Sequence, residues 1–362
     1  MSDARPIPTV IKLLVVDDSA LMRRQLMSLF AAESDFSVRV AGDGNEAVAL
    51  NRSFQPDVVT LDIHMPGVDG LTALSLIMLD RPVPVVMISS LATKSALATL
   101  EALNLGAVDY VLKPSGTLSG SLDAIRGAIV SKVRAAASAS LHDVSRKSRS
   151  GADPEAREPL PLAGASRKRE PAQGVVLIGA STGGPRTLER ILPALRGDLP
   201  WSVLIAQHMP ASFTKPFARR LNALCAASVV EVSVPMPLES GTVYIGKGDA
   251  DMQLVNRGDK ASVLAMPANP RYAWHPSVEF LGRSALELFP PEKVLAVMLT
   301  GMGQDGADAF TQIRHSGGRT IAQSRESAIL FGMPAELIAR GGATITLPAE
   351  QIAAQINVWA GK

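Results

Sequence analysis

The sequence is 362 residues long, which is enough for two domains of ordinary size, and a single core of this length would be unusual. Hydrophobic residues make up 47% and charged residues 19%, a globular composition, and a formal charge of +2 excludes any strong attraction to nucleic acid or anionic membrane. The one cysteine, Cys225, excludes an internal disulfide and a cysteine-based zinc site, and its place at the end of a predicted helix favours a buried structural thiol.

The first ten residues lack the apolar segment of a signal peptide, and no stretch of about 18 uncharged apolar residues occurs anywhere. We therefore expect a cytoplasmic protein with no membrane insertion.

Residues 10–133 alternate short apolar runs with amphipathic segments. The apolar runs are Leu13–Val16, Ser37–Ala41, Asp57–Leu61, Pro84–Ile88 and Ala107–Leu112. The segments between them have the spacing of helices, as in Ala20–Ala32 and Leu71–Leu79. Five β–α repeats of this kind predict an α/β domain with a doubly wound parallel sheet.

The pattern ends near Ala135, and residues 134–173 are rich in Ala, Ser, Arg, Lys, Glu and Pro with almost no large apolar side chain. This composition predicts a flexible, solvated linker. Its basic groups, such as Arg146-Lys147, leave docking on an acidic surface as a less favoured alternative.

Residues 174–361 return to the β/α pattern. Buried parallel strands are predicted at Val175–Ile178, Val203–Ala206 and Val294–Leu299. Short alternating runs between Glu231 and Leu264 predict antiparallel hairpins beside this sheet. The second domain is thus expected to be a doubly wound parallel-sheet domain with an antiparallel hairpin region.

Polar residues follow the strands of the first domain. Asp17 and Asp18 follow the first strand, Asp62 the third, Ser89 and Ser90 the fourth, and Lys113 the fifth. Because these strand ends meet at one sheet edge, the acids converge there and favour a hard cation such as Mg²⁺. An acid cluster, a hydroxyl and a lysine together indicate a carboxylate that accepts a phosphoryl group.

The same segments resemble the response-regulator receiver family, which is flavodoxin-like. The motifs are Val15-Val16-Asp17-Asp18-Ser19, Leu61-Asp62-Ile63-His64-Met65-Pro66-Gly67-Val68-Asp69-Gly70 and Leu112-Lys113-Pro114. The resemblance implies that Asp62 is the phosphoacceptor. It also implies that Mg²⁺ binds Asp18, Asp62 and the backbone carbonyl of His64, with Asp17 acting through water. Ser89, Tyr110 and Lys113 would form the switch.

In the second domain, Gly179-Ala180-Ser181-Thr182-Gly183-Gly184-Pro185 joins an apolar strand to a helical segment, Thr187–Leu195. Three interpretations of such a turn are open: it binds phosphate, it presents a nucleophile, or it is a glycine-rich turn without a chemical role. The spacing is not that of a dinucleotide-binding turn, whereas Gly179-x-Ser181-x-Gly183 matches a nucleophile turn.

A nucleophilic serine needs a histidine and an orienting carboxylate. Among His208, His275 and His315, only His208 directly follows a predicted strand, and Asp305 lies shortly after another. His315 is placed late in a helix, and His275 has no strand to position it. Ser181, His208 and Asp305 are therefore expected to converge as a catalytic triad.

This half of the chain resembles the chemotaxis protein-glutamate methylesterase family. The matching segments are Ile178–Pro185, Ile205–Pro210, Leu299–Gly306 and Phe331–Pro334, and the receiver–linker–hydrolase order also matches. The resemblance implies hydrolysis of glutamate methyl esters and deamidation of glutamines on chemoreceptor helices, without an esterase cofactor. It implies a chemotaxis-type histidine kinase as phosphodonor, and it places Thr182 and Met302 at the oxyanion. Tyr244–Asp249 and Arg271–Glu279 depart from the family pattern, which leaves receptor choice open.

Two rival hypotheses remain. One is a receiver joined to a non-enzymatic module such as a DNA-binding domain, but no helix-turn-helix pattern or concentrated basic face occurs. The other is a phosphorylation-gated hydrolase that acts on a different ester or amide.

Overall fold

Two parallel β-sheets covered by helices form the part of the chain that the computed structural model describes, residues 10–89, 93–113, 121–139 and 170–361. The predicted α/β architecture is confirmed. Residues 140–169 of the predicted linker lie outside the described residues, as do Ser90 and Pro114, whereas residues 134–137 are helical. None of the helices in these ranges combines the length and the apolar character needed to cross a membrane.

The first sheet is built from five β–α units. Its strands are β1 (Ile11–Val16), β2 (Phe36–Ala41), β3 (Val58–Asp62), β4 (Val85–Ser89) and β5 (Asp109–Leu112). Its helices are α1 (Ala20–Ala31), α2 (Gly44–Phe54), α3 (Gly70–Asp80), α4 (Thr93–Leu105) and α5 (Ser121–Ala137). The parallel order β2-β1-β3-β4-β5 is that of the flavodoxin-like fold, as predicted.

Local sequence sets where the helices of this domain begin. The side chains of Ser19, Asp43 and Asp69 each accept a hydrogen bond from the backbone N–H three residues on, which caps α1, α2 and α3. At Gly70 a Cβ atom would collide with the backbone carbonyl of Asp62. Only glycine therefore lets α3 begin so close to the end of β3, which fixes the loop that carries the acceptor residue.

The second sheet has seven parallel strands, with helices on both faces and a small antiparallel sheet beside it. The strands of both sheets, in chain order, are β6 (Val175–Ala180), β7 (Ser202–Gln207), β8 (Ser228–Val232), β9 (Met236–Pro237), β10 (Thr242–Gly246), β11 (Ala250–Arg257), β12 (Lys260–Pro267), β13 (Val294–Met298), β14 (Arg319–Gln323) and β15 (Ile345–Leu347). Strands β9, β11 and β12 form the antiparallel sheet. The helices are α6 (Gly184–Ile191), α7 (Ala211–Leu224), α8 (Val278–Leu288), α9 (Ala307–His315), α10 (Met333–Ala339) and α11 (Ala349–Ala360).

The parallel order of this sheet is β15-β14-β13-β6-β7-β10-β8. From β6 the chain moves first toward β7 and later returns on the other side as β13. Strand β6 therefore lies at the point where the direction of winding reverses, and in such sheets a crevice for ligands opens beyond the carboxyl ends of the strands there.

The hairpin prediction between Glu231 and Leu264 is only partly right. Strands β11 and β12 form an antiparallel hairpin, and β9 pairs with β12. Strand β10, however, lies within the parallel sheet between β7 and β8. Its central residues Val243, Tyr244 and Ile245 are all buried, which is the continuous apolar pattern of a parallel strand covered on both faces.

The two domains pack directly on one another. Leu100 and Leu103 of α4 belong to the same buried cluster as Phe213 and Phe217 of α7. The ring of Tyr110 on β5 stacks on the Phe213 ring, with centroids 4.7 Å apart and an interplanar angle of 16°. An apolar contact thus joins the β5 edge of the first sheet to the second domain.

Cys225 directly follows α7, as predicted, but it is half-buried rather than fully buried. Burial, with a contribution from the charge of Glu189, raises the pKa of the Cys225 thiol to about 12. The thiol is therefore protonated at neutral pH and is a poor nucleophile.

Candidate functional sites

Three carboxylates meet at the carboxyl edge of the first sheet. Asp17 and Asp18 follow β1, and Asp62 ends the neighbouring strand β3. One oxygen from each of them lies within 4.8 Å of the others. Asp17 and Asp62 are buried, whereas Asp18 is exposed. Three hard oxygen donors on a partly open edge fit a divalent cation that keeps free positions for other ligands.

Lys113 lies between two of these carboxylates. Its Nζ is 2.6 Å from Asp62 Oδ2 and 2.9 Å from Asp17 Oδ2. Burial raises the pKa of Asp62, and the hydrogen bond and charge of Lys113 only partly oppose that rise. Burial alone would lower the pKa of Lys113, but its ion pairs with Asp62 and Asp17 raise it. The site therefore holds a cationic lysine beside a poorly solvated carboxylate.

The predicted switch residues are not all at this edge. Ser89 ends β4 beside β3, and its Oγ accepts a hydrogen bond from Thr99 Oγ1 of α4 at 2.9 Å. The His64 ring contacts Ser95 Oγ of the same helix at 3.1 Å, so its side chain points toward α4. Tyr110 is 5% exposed and faces the second domain.

Ser181 lies on the tight turn that joins β6 to α6. Gly183 has a left-handed φ of 79°, and a Cβ at Gly184 would collide with Gln207 Oε1. Both glycines are thus required for the turn, as the motif predicts. The Ser181 N–H donates to the Thr300 carbonyl at 3.1 Å, and a side chain at position 301 would lie 2.8 Å from Ser181 Cβ. The serine is therefore held between two strand ends.

His208 is placed beside Ser181 by the pairing of β6 with β7. Ala180 and Gln207 are partners in the parallel register, so Ser181 and His208 are the next residues along, and the His208 N–H donates to the Ala180 carbonyl at 3.0 Å. The Nε2 atom of His208 is 2.9 Å from Asp305 Oδ2. Because an ionised carboxylate only accepts, Nε2 carries the hydrogen and Nδ1 is left with a lone pair.

That Nδ1 atom is buried and has no hydrogen-bond partner among the described residues. A buried, unpaired ring nitrogen next to a serine can take up the serine proton. The arrangement has the groups that a serine nucleophile, a general base and a carboxylate orienting the base would require.

Asp305 lies in the loop between β13 and α9 and is held there by four hydrogen-bond donors. It accepts hydrogen bonds from His208 Nε2 (2.9 Å), Ser277 Oγ (3.0 Å), Val278 N (2.7 Å) and Glu279 N (3.0 Å). Burial alone would raise the pKa of Asp305, but His208 and the two backbone N–H groups at the start of α8 lower it. The carboxylate thus stays ionised and fixed at the amino end of a helix.

The sequence motifs do not predict the roles of several residues in this site. Ser277 caps α8 and donates to Asp305, and only its position before a helical segment gave a signal. Gln207 is 1% exposed, and its Nε2 donates to the carbonyls of both Ser181 and His208. The Thr300 hydroxyl donates to the Thr182 carbonyl at 3.0 Å. These contacts join segments distant in sequence.

The other two candidate histidines lie outside the triad. His315 ends α9 and is exposed, as expected for a residue late in a helix. His275 lies on the loop before α8, and its Nδ1 forms a hydrogen bond with Asp251 Oδ1 at 2.9 Å.

The first domain contacts the residues next to Ser181. The Thr182 hydroxyl donates a hydrogen bond to Asp109 Oδ2 of β5. The Ser131 hydroxyl of α5 lies 3.4 Å from the Met302 sulfur. Asp109 also pairs with Lys132 Nζ at 3.0 Å. Thr182 and Met302, which the family resemblance places at the oxyanion, therefore both contact the first domain.

Comparison with known proteins agrees with both halves of this description. A family model described as CheB methylesterase matches residues 176–356, and one described as response regulator receiver domain matches residues 13–120. The protein named protein-glutamate methylesterase/protein-glutamine glutaminase 3 of Rhodospirillum rubrum is 51% identical, over 96% of this chain and 96% of its own. The protein named protein-glutamate methylesterase/protein-glutamine glutaminase 2 of Rhodopseudomonas palustris is also 51% identical, over 97% and 98%.

Among solved structures, the methylesterase catalytic domain of Thermotoga maritima CheB is 36% identical, with a TM-score of 0.49. The match covers 51% of this chain and 96% of that one.

Proposed function

The chain belongs to the CheB methylesterase family, and from this membership we propose that it is a phosphorylation-activated protein-glutamate methylesterase and protein-glutamine glutaminase. Its substrates are glutamate methyl esters and selected glutamines on the cytoplasmic helices of chemoreceptors, which agrees with a cytoplasmic location. The chain divides into a receiver that begins at residue 10 and ends with α5 at Ala137, a linker up to residue 173 and a catalytic domain at residues 174–361. The observation that carries the proposal is the hydrogen bond of His208 to Asp305 at the strand end beside Ser181.

In the proposed reaction, His208 Nδ1 takes the proton of the Ser181 hydroxyl as its oxygen attacks the ester carbonyl. Asp305 stabilises the imidazolium that forms. The imidazolium returns the proton to the leaving methoxy group, and methanol departs from the acylated serine. A water molecule, deprotonated by His208, then hydrolyses the acyl-serine and leaves free glutamate. For a glutamine substrate the leaving group is ammonia.

The oxyanion of each tetrahedral intermediate needs N–H donors. The Ser181 N–H is already used by the Thr300 carbonyl, so the donors have to come from neighbouring residues. We assign this role to the backbone N–H groups of Thr182 and Met302, which lie on the two loops that enclose Ser181. No metal or organic group enters this half of the mechanism.

The receiver site is proposed to accept a phosphoryl group on Asp62 from a chemotaxis-type histidine kinase. Asp18, Asp62 and the backbone carbonyl of His64 would bind Mg²⁺, with Asp17 acting through water, and the ion would neutralise charge on the phosphoryl group. The arrangement of Asp17, Asp18 and Asp62 supports this assignment. Lys113 and Ser89 would hold the new phosphate.

Phosphorylation is proposed to act by loosening the contact between the domains. In the structure Asp109 and Ser131 of the receiver contact Thr182 and Met302 next to the nucleophile. Tyr110, adjacent to Asp109, packs on Phe213. This contact limits access of a receptor helix to Ser181, and a shift of Tyr110 on phosphorylation would weaken it.

The proposal is tested by methanol release from methylated receptor membranes, with and without a small phosphodonor and Mg²⁺. We expect phosphodonor to stimulate the wild type, Asp62→Asn to lose both labelling and stimulation, and Ser181→Ala to lose methanol release. Asp57→Asn, a nearby exchange outside the acidic cluster, is the matched control for Asp62→Asn. Labelling that persists in Asp62→Asn contradicts the acceptor assignment. If Ser181 hydrolyses small esters but no methanol comes from receptors, the rival hydrolase hypothesis is favoured.

A further inference from the structure

The loop that precedes α8 covers one face of the catalytic histidine. The Trp274 indole lies parallel to the His208 imidazole, with ring centroids 5.7 Å apart and an interplanar angle of 4°. The edge of the indole rests on the backbone at Gly303, where an added Cβ would lie 3.1 Å from Trp274 Cζ2. The imidazole is thus supported over its ring face by Trp274 and at its Nε2 edge by Asp305.

A buried carboxylate holds this loop in place. Asp251, at the start of β11, is 1% exposed and accepts hydrogen bonds from Asn269 N (2.8 Å), His275 Nδ1 (2.9 Å) and Ser277 N (2.9 Å). These donors lie on both sides of Trp274 in the sequence. Because a carboxylate only accepts, Nδ1 of His275 carries a hydrogen. The loop is therefore fixed at three points, at Asn269 before the indole and at His275 and Ser277 after it.

The same loop also reaches the third member of the triad. Ser277 donates its N–H to the Asp251 carboxylate and its hydroxyl to Asp305. One short segment thus presents Trp274 to His208 and Ser277 to Asp305. Movement of the loop would disturb the orientation of the base and of its carboxylate together.

We propose that Trp274 is a positioning residue for His208, and that Asp251 sets its position by anchoring the loop through His275 and Ser277. The indole keeps the imidazole in the plane in which Nε2 donates to Asp305 and Nδ1 stays free for the Ser181 proton. Its π face also favours the imidazolium that forms in the transition state. This inference rests on the proposed function, since it concerns the base of that reaction.

The test compares Trp274→Leu, which keeps apolar bulk, with Trp274→Phe, which keeps an aromatic face. Both are made in the full-length protein and assayed with phosphodonor and Mg²⁺. We expect Trp274→Leu to lower kcat for methanol release about tenfold with KM within about twofold, in line with the loss of one aromatic–cation contact. Trp274→Phe should restore most of kcat. The rate at which a small fluorophosphonate labels Ser181 should fall and recover in parallel, because it depends on His208 and not on a receptor.

Two further variants complete the experiment. Tyr272→Leu alters the same loop, but Tyr272 packs on Phe280 rather than on the triad, so its kcat should match the wild type. Asp251→Asn should lower kcat and Ser181 labelling about threefold, through weaker anchoring of the loop.

Several outcomes would overturn the inference. If Trp274→Leu raises KM while Ser181 labelling stays at the wild-type rate, the indole is a wall for the receptor helix instead. Equal losses in Trp274→Leu, Trp274→Phe and Tyr272→Leu would show a general effect of the loop. If the fluorophosphonate labels Ser181 of the wild type but no methanol is released, only the proposed function is contradicted, because the labelling series still tests Trp274.

Discussion

Asp62 in the receiver and Asp305 in the catalytic domain are both buried carboxylates at the carboxyl edge of a parallel sheet. Each has a basic partner within 3 Å. Their pKa values nevertheless shift in opposite directions. The pKa of Asp62 is raised because burial outweighs Lys113, which Asp62 shares with the like-charged Asp17. The pKa of Asp305 is lowered because its hydrogen-bond donors outweigh burial.

The difference follows from the tasks proposed for the two groups. Asp305 orients a histidine and does not react, so a helix N-terminus and the Ser277 hydroxyl can saturate its oxygens. Asp62 has to form a bond to phosphorus, and an oxygen saturated with donors would be a poor nucleophile. The same sheet edge can therefore hold a fixed carboxylate or a reactive one, depending on how many donors surround it.

The largest expected effect comes from Asp305→Asn. The amide cannot stabilise an imidazolium, and it favours the wrong tautomer of His208, so kcat for methanol release should fall about 10³-fold or more. Labelling of Asp62 by phosphodonor should be unchanged, since the receiver site is separate. Steady-state methanol release and receiver labelling, measured on the same sample, check both parts. A loss of less than about tenfold would contradict the assigned role.

Asp109→Ala breaks the contact that links the two sites. It removes the acceptor of the Thr182 hydroxyl, and a hydrogen bond to a charged group contributes about 1.5 kcal/mol. If this contact keeps the receiver over Ser181, basal methanol release without phosphodonor should rise about tenfold. Asp109→Asn keeps an acceptor oxygen and is the matched control. Unchanged basal activity in a folded Asp109→Ala protein would mean that other contacts hold the domains together.

Ser277→Ala removes one of the donors that distinguish Asp305 from Asp62. The variant also loses the N-cap of α8, where Ser277 Oγ accepts from Phe280 N at 3.2 Å. We expect kcat to fall about fivefold and the free energy of unfolding to fall by about 1 kcal/mol. Kinetics and urea denaturation measure the two effects, and Ser277→Thr, which keeps the hydroxyl, should restore both. Wild-type kcat in Ser277→Ala would show that the remaining donors suffice.

The receiver half was the easier to predict because its chemistry is local. Asp17, Asp62 and Lys113 each directly follow or end an apolar run, and a parallel sheet brings such ends together. In the catalytic domain the same rule brought His208 and Asp305 together. It did not reveal Trp274, Ser277 or Asp251, whose roles depend on a loop folding back across the sheet.

The order of strands was also only partly predictable. The buried run Val243–Ile245 has the pattern of a parallel strand, but the adjoining Gly-Lys-Gly-Asp turn favoured a hairpin. Which strand pairs with which is decided by contacts between distant segments, here those of β7, β8 and β10. Short apolar runs do not encode that choice on their own.

The smallest expected effect is on stability and comes from Asp62→Asn. A carboxyl group whose pKa is raised in the folded protein destabilises the fold when it is ionised at neutral pH. An amide removes that charge, and Lys113 keeps Asp17 as a partner. The free energy of unfolding at pH 7 without Mg²⁺ should therefore rise by about 1 kcal/mol.

The difference in the free energy of unfolding between Asp62→Asn and the wild type should depend on pH. As pH falls through the raised pKa of Asp62, the folded wild type takes up the proton first, so the stability advantage of the Asp62→Asn variant should shrink and vanish in acid. Asp305→Asn should behave in the opposite way: it lowers stability at neutral pH, and its deficit should close only as pH falls through the lowered pKa of Asp305. Urea denaturation of both variants across pH measures the two curves. If both variants differ from the wild type in the same direction at neutral pH and change alike with pH, the two carboxylates do not differ as their surroundings predict.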